Sequence, residues 1–221
     1  MHFHIVTLFP KGFSSYLGES ILKRAIEDKK IKVSFYNPRD FVKNKWRRVD
    51  RPPYGGGPGL VIEAEPVVKA IESALKLVAR SKKPKAKIVF LSPGGKQFTN
   101  QYANKIAQKY KHVIIVCGRY EGIDVRVKKV FSASWRMDEI SVGPFILTGG
   151  ELPAMILIDV MARQVPGILG NLDSLEERRI SSSEVYTRPE VFSYKGKSYR
   201  VPKVLLSGHR AKIDEWKRKH R

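Results

Sequence analysis

Short apolar runs and helical stripes alternate along the first two-thirds of the chain. His2–Leu8 alternates and is rich in β-branched and apolar residues, which predicts a first strand. A helix is predicted from about Ser14 to Asp28, then a strand over Lys32–Tyr36. From Glu65 to Ala79, Val67, Val68, Ile71, Ala74, Leu75 and Val78 fall on one helical face. Ile88–Leu91 and Val113–Val116 are short, continuously apolar runs of buried-strand type, with a helix predicted between them over Asn100–Lys109. A further helix opens at Gly149-Gly150-Glu151-Leu152-Pro153 and runs to about Gln164. Pro153 falls in its first turn, where a missing N–H costs nothing, and Pro166 and Gly167 stop it.

This alternation predicts an α/β layer fold around a mainly parallel sheet. Residues 37–62, rich in Pro, Gly and Arg, read as a long loop. After Gly170 the periodicity fades. The expected organisation is one domain over 1–170, a flexible polar linker over 171–183, and a small basic C-terminal domain over 184–221 ending in a helix around Ala211–Lys219.

Charge adds a partner class. The 221 residues carry 42 Lys and Arg against 21 Asp and Glu, a net charge of +21. Such a chain attracts polyanions over long range, with nucleic acid the default and an anionic membrane surface the rival. The charge is uneven: residues 178–221 hold 13 Lys and Arg against 4 Asp and Glu. A second cluster, Lys43, Lys45, Arg47, Arg48 and Arg51, precedes a glycine-rich loop. No apolar run approaches the roughly 20 residues of a membrane helix. The single cysteine, Cys117, excludes an intrachain disulfide framework and fits a reducing cytoplasm.

Three glycine-bearing stretches follow apolar strands: Leu91–Gly95, Cys117–Gly122 and Val142–Gly150. In open α/β sheets ligands bind outside the carboxyl ends of strands, so three such loops could wrap one cofactor. Each taken alone is also an ordinary tight turn. The run Pro52–Leu60 misses the G-x-G-x-x-G fingerprint, and no Gly-Lys-Ser/Thr ending marks a phosphate loop. Five histidines, one cysteine and no H-E-x-x-H leave no zinc constellation in the sequence, so no metal ligand is assigned.

The residues Arg51–Leu60 (RPPYGGGPGL), Cys117–Arg126 (CGRYEGIDVR), Gly149–Asp159 (GGELPAMILID), Pro166–Gly170 (PGILG), Tyr186–Glu190 (YTRPE) and Val204–Gly208 (VLLSG) together resemble the bacterial tRNA (guanine-N1)-methyltransferase family, over nearly the whole chain and in order. The resemblance implies a trefoil-knotted α/β fold of the SPOUT class followed by a small basic helical domain. It also implies an obligate homodimer with its active site at the interface. The methyl donor would be S-adenosylmethionine, bound by Phe90, Leu91, Pro93, Gly118, Tyr120, Glu121, Val142, Gly143, Phe145, Leu147, Gly149, Gly150 and Pro153. Glu121 would face the methionine moiety and help hold Mg2+; equally, it reads as a partner of Arg119 or Arg126.

The implied reaction methylates N1 of the guanosine at tRNA position 37, which carries a proton and needs a general base, with a cation near O6 where charge develops. The family motif places the cation at Arg163, four residues after Asp159; the same spacing is an ordinary i,i+4 helix pair. The family's catalytic Asp lies in a linker of form S-x-x-E-D-S. Here Ser174-Leu175-Glu176-Glu177-Arg178-Arg179 puts Arg178 at that position, leaving Glu177 or Glu176 to serve by a shift of register. Asp50, Arg51, Tyr54 and Arg188 are the expected contacts to the anticodon stem-loop, beside Lys45, Arg47 and Arg48. The displaced Asp keeps a catalytically silent RNA-binding homologue as an alternative, and a related SPOUT enzyme acting on another RNA is a third reading.

Overall fold

The structure is a computed structural model that describes residues 1–82, 84–132, 137–169, 180 and 182–220. The chain divides into two units, Met1–Ile168 and Leu169–Arg221. In the first, the elements are β1 (His2–Val6), α1 (Ser14–Leu17), α2 (Ser20–Glu27), β2 (Lys32–Tyr36), β3 (Asp50–Arg51), β4 (Val61–Ile62), α3 (Ala64–Ala79), β5 (Ala86–Gln97), α4 (Asn100–Lys109), β6 (His112–Val116), α5 (Arg126–Ser132), β7 (Met137–Ser141) and α6 (Glu151–Arg163). The second carries β8 (Val191–Tyr194), β9 (Lys197–Arg200), α7 (Lys203–Leu206) and α8 (Arg210–Lys219).

Five strands form one sheet in the order β2-β1-β6-β5-β7, with every pair parallel. Strand alternation splits the core in two. Phe3, Ile5, Val113, Ile115 and Val89 join a cluster with Leu17, Leu22, Ala103, Ile106, Leu157 and Met161 from α1, α2, α4 and α6. Val6, Ile114, Val116, Ile88 and Phe90 join another with Val67, Ala70, Ile71, Ala74 and Phe131 from α3 and α5. Helices therefore cover both faces, and that is why Val113–Val116 is apolar without alternation.

The departures from expectation are local. The helix expected over Ser14–Asp28 breaks into a 3-10 turn (Pro10–Phe13), α1 and α2. At Gly18 any Cβ would stand 2.7 Å from the Ser14 carbonyl oxygen, and Ser20 takes φ 50°. Within the expected loop 37–62, Pro38–Phe41 forms a 3-10 turn and β3 pairs antiparallel with β4. β5 outruns its expected Ile88–Leu91 because it resumes pairing with β7 after an irregularity between Leu91 and Lys96.

The expected linker lies almost wholly outside the described residues, as do Glu176 and Glu177. The C-terminal unit is not purely helical. β8 and β9 form an antiparallel hairpin whose Lys195-Gly196 turn has φ 46° and 75°, the positive pair that a two-residue hairpin favours. Among its described residues none is buried. No helix among the described residues is long and apolar enough to cross a membrane.

Three histidines interrupt the α3 face of the sheet. His2 and His4 share the parity of Val6 on β1, and His112 is the register partner of His2 on β6; they are 8%, 0% and 7% exposed. Burial first, then His112, Lys32 and the N-terminal ammonium, pull His2 down to about 4. Burial, then His2, His112 and Lys32, pull His4 to about 3. Unfolded, both titrate near about 6.5. The fold thus holds them neutral, and their contribution is complete above that value and lost as pH falls towards 4 and 3. Denaturant unfolding is expected to show stability falling between about pH 7 and about pH 5, and replacing both residues by Gln to make that fall shallower; an unchanged pH dependence in the variant would remove the histidines as its cause.

Candidate active site

The cleft lies at the carboxyl ends of β5, β6 and β7, against the N-terminus of α6. Its walls are Leu91, Ser92 and Pro93, then Gly118–Gly122, then Ile140–Gly143, Phe145–Gly150 and Pro153. It encloses about 270 Å³, near the lower end of small-molecule sites.

Glycines allow the walls to meet. The bulged turn at the end of β5 presses Gly95 onto β7, where a Cβ would stand 2.5 Å from the Ile140 nitrogen. Gly150 N–H donates to the Gly118 carbonyl at 2.9 Å, and a Cβ on Gly150 would stand 2.7 Å from the Cys117 Cα. Arg119 and Gly149 form an isolated antiparallel bridge. On its other side the same β6 loop is stitched to the end of the glycine-rich loop. Glu121 N–H donates to Leu60 O, Ile62 N–H to Gly122 O and Asp124 N–H to Ile62 O, each at 3.0 Å. Tyr120 reaches this path with φ 59° and Gly122 with φ 123°.

An ion pair backs the walls. Arg119 Nε lies 2.9 Å from the buried Glu151 carboxylate, whose other oxygen accepts from the Thr7 hydroxyl at 2.8 Å. The Arg119 guanidinium also donates to Thr148 O at 3.2 Å and covers the Phe9 ring at 4.6 Å from its centroid. Cys117 is buried behind the cleft, where burial and the nearby Glu151 push its thiol well up. Burial of this kind makes a structural thiol and not a nucleophile.

Twelve of the thirteen residues expected around the cofactor line this one cleft. Phe90 does not; its side chain is 2% exposed in the α3-side core, one strand position off the cleft. Glu121 lines the cleft with an exposed side chain. The alternative pairings considered for it are taken otherwise, since Arg119 pairs with Glu151 and Arg126 with Asp124, which holds the Asp124 carboxyl below its usual range. Asp50 and Arg51 sit on β3, Arg51 at 2.8 Å from Glu63, and Tyr54 is fully exposed on the glycine-rich loop. Trp46, 82% exposed with Lys45 over its ring, adds an aromatic surface to that basic segment which sequence reasoning missed. Arg188 belongs to the C-terminal unit. Arg163 closes the last turn of α6, and Asp159 accepts a hydrogen bond from Tyr16. Sequence reasoning missed Ile140 and Ser141 as lining residues and Arg119 as a brace, although Arg119 stands inside the CGRYEG motif; Ser92 and Thr148 lie within the loops it marked.

A family model described as tRNA (guanine-1)-methyltransferase TrmD matches residues 1–221. The chain belongs to the TrmD family. TrmD relatives agree along its length. A tRNA (guanine-N(1)-)-methyltransferase of Campylobacter jejuni subsp. doylei is 42% identical over 217 residues, covering 96% of this chain and 88% of the relative. One from Clostridioides difficile is 41% identical, covering 99% and 91%. One from Alkaliphilus oremlandii is 43% identical, covering 97% and 84%.

The TrmD-family motif GGELP includes one of the close backbone contacts of the cleft, Gly150 against Cys117. Gly150→Ala is expected to cost about 1–3 kcal/mol by overpacking against Cys117. Gly12→Ala, where a Cβ meets nothing within 4 Å, should stay within about 0.5 kcal/mol. Chemical denaturation of both variants checks the contrast; equal effects would mean that α6 shifts to absorb the methyl group.

Proposed function

We propose that this chain transfers the methyl group of S-adenosylmethionine to N1 of the guanosine at position 37 of tRNA, in the cytoplasm, as a homodimer. What carries the reading is the cleft of three glycine-bearing loops, in a chain matched end to end by the TrmD family model.

The lining suits the cofactor's chemistry. Leu91, Ile140, Val142, Leu147 and Pro153 offer apolar walls to a flat purine, and Gly118, Gly143 and Gly149 leave backbone open to its polar edges. At Gly143 and Gly149 a Cβ would collide with the Phe145 ring and the Arg119 side chain, so side chains there would close the space. The Glu121 carboxylate is an anionic contact for a cationic amino or sulfonium group and an oxygen donor suited to Mg2+. Bound S-adenosylmethionine supplies an electrophilic methyl group on a positively charged sulfur.

The chain's own residues then prepare the guanine. Glu177, or Glu176 beside it, accepts the N1 proton in place of the Asp that the family carries where this chain has Arg178. Arg163 balances the charge that develops on O6 as N1 loses its proton. Arg163 stands ten residues beyond Pro153 on α6, about 15 Å along the helix axis. That span exceeds an arginine side chain, so Arg163 acts on a guanine at the cleft of a second copy. The outer strip of α6 supports this pairing of copies: Leu152 and Ile156 are 56% and 42% exposed, on the face that continues to Asp159 and Arg163.

Asp50, Arg51 and Tyr54 would contact the anticodon loop, with Lys45 and Trp46 beside them, and Arg188 the neighbouring backbone. The hairpin of the C-terminal unit carries Phe192, Tyr194 and Tyr199 more than half exposed among Lys195, Lys197 and Arg200. Exposed rings among cations suit unstacked bases. A trefoil-knotted path of the chain within residues 1–170 completes the proposed architecture.

The test is transfer of labelled methyl from S-adenosylmethionine to an unmodified tRNA transcript with guanosines at positions 36 and 37. Arg163→Ala is expected to lower turnover about 10²- to 10³-fold, and Glu177→Ala about 10²- to 10⁴-fold. Turnover that survives Glu177→Ala and collapses in Glu176→Ala moves the base by one residue. Cofactor binding without turnover in the unaltered chain would overturn the reading in favour of a silent RNA-binding homologue.

A further inference from the structure

Three of the chain's five histidines meet at the end of the sheet opposite the cleft. His2 and His112 open the parallel strands β1 and β6 and face each other in register, and His4 stands one pleat further along β1. One nitrogen from each ring lies within 4.8 Å of the other two, and all three residues are buried.

We propose that His2, His4 and His112 form a binding site for a borderline transition-metal ion such as zinc or cobalt, which clamps β1 to β6.

The rings already hold most of the required geometry. His4 Nε2 and His112 Nδ1 are 3.0 Å apart. Two nitrogens bound tetrahedrally to zinc at about 2.0–2.1 Å lie about 3.3–3.4 Å apart, so this pair needs to open by only a few tenths of an ångström. The outer faces of the rings are anchored. His4 Nδ1 lies 2.9 Å from the Tyr36 hydroxyl, and His2 Nε2 lies 2.9 Å from the Ser34 hydroxyl, which leaves His2 Nδ1 as its free nitrogen. Hydroxyl partners of this kind orient metal-bound imidazoles.

Proton bookkeeping closes without release of a proton. A neutral His4 that places its N–H towards His112 accepts from Tyr36 at Nδ1. With a metal on Nε2, the ring carries its proton on Nδ1 and donates to the same hydroxyl, which can act in either sense. Water takes the fourth position, reaching the slightly exposed His2 and His112.

The donor set also selects the ion. The charged groups acting on the three rings are Lys32 and the N-terminal ammonium, with no carboxylate among them. Neutral imidazoles without oxygen anions suit zinc, cobalt, nickel or copper and not magnesium or calcium. The positions 2, 4 and 112 match no ligand spacing; only the pairing of β1 with β6 brings them together.

The test uses the full chain, stripped by a chelator and titrated first with cobalt(II) alone and then with zinc(II). Expected are saturation at one equivalent, the intense visible absorption of four-coordinate cobalt, its bleaching by zinc, and a raised thermal midpoint with either ion. His4→Gln and His112→Gln lose the absorption and the midpoint shift, with circular dichroism reporting whether each is folded. Replacing the other two histidines, His209→Ala with His220→Ala, leaves both signals. Tyr36→Phe retains the site at an affinity about 10- to 100-fold weaker. Absence of the absorption from the unaltered chain overturns the proposal, as does its persistence in both glutamine variants. Should neither glutamine variant fold, an unweakened cobalt affinity in Tyr36→Phe counts against it.

Discussion

Glu151 is a carboxylate only 6% exposed, at the first position of α6, and its charge has to be balanced on the spot. Three features do so. The helix N-terminus presents its partial positive charge, the Thr7 hydroxyl donates from beyond the end of β1, and the Arg119 guanidinium arrives from the loop after β6. Burial makes such a pair a weak source of net stability, because desolvation offsets most of the attraction. Its effect is positional. Arg119 also holds Thr148 O and lies over Phe9, so one guanidinium ties the β6 loop, the loop before α6 and the segment after β1 to a single point. The cleft walls keep their spacing because this charge has nowhere else to be satisfied.

Around that point, the readable part of the sequence was the part governed by local rules. α4 and β2 fall where the sequence pattern puts them, and α3 begins one residue earlier; α3 and α4 each have an apolar stripe to bury, and β2 is an edge strand with no buried residue. The ends of β5 and the break between α1 and α2 answer instead to contacts distant in sequence: Gly95 against Ile140, Gly18 against its own preceding turn. α5 has seven residues and the strands of the tail hairpin four each, too few for a period to stand out. The β-branched and aromatic residues of Val191–Tyr194 and the Gly196 that follows were nonetheless a usable hairpin signal.

The site was legible as motifs and illegible as a network. GGELP and CGRYEG marked the loops that line the cleft, yet nothing in either says that Glu151 and Arg119 are partners. That follows only when the loop after β6 and the start of α6 meet through Gly150. Phe90 shows the opposite error. It stands beside Leu91 in the chain, but alternation along β5 sends adjacent side chains to opposite faces, one to the cleft and one to the core.

A parallel sheet has two ends with different chemistry, and this chain uses both. At the carboxyl ends, chain leaving the strands turns through glycines, so backbone is exposed and shape can be built; at the amino ends, side chains such as His2 and His112 stand side by side. Polar groups buried at the second end must satisfy one another, as His4 does between Tyr36 and His112. Substitutions there act on the pairing of β1 with β6, and the same β6 carries that pairing to Cys117 and Gly118, where the cleft begins. The register of one five-residue strand therefore couples the histidine cluster to the floor of the site, although no side chain is shared between them.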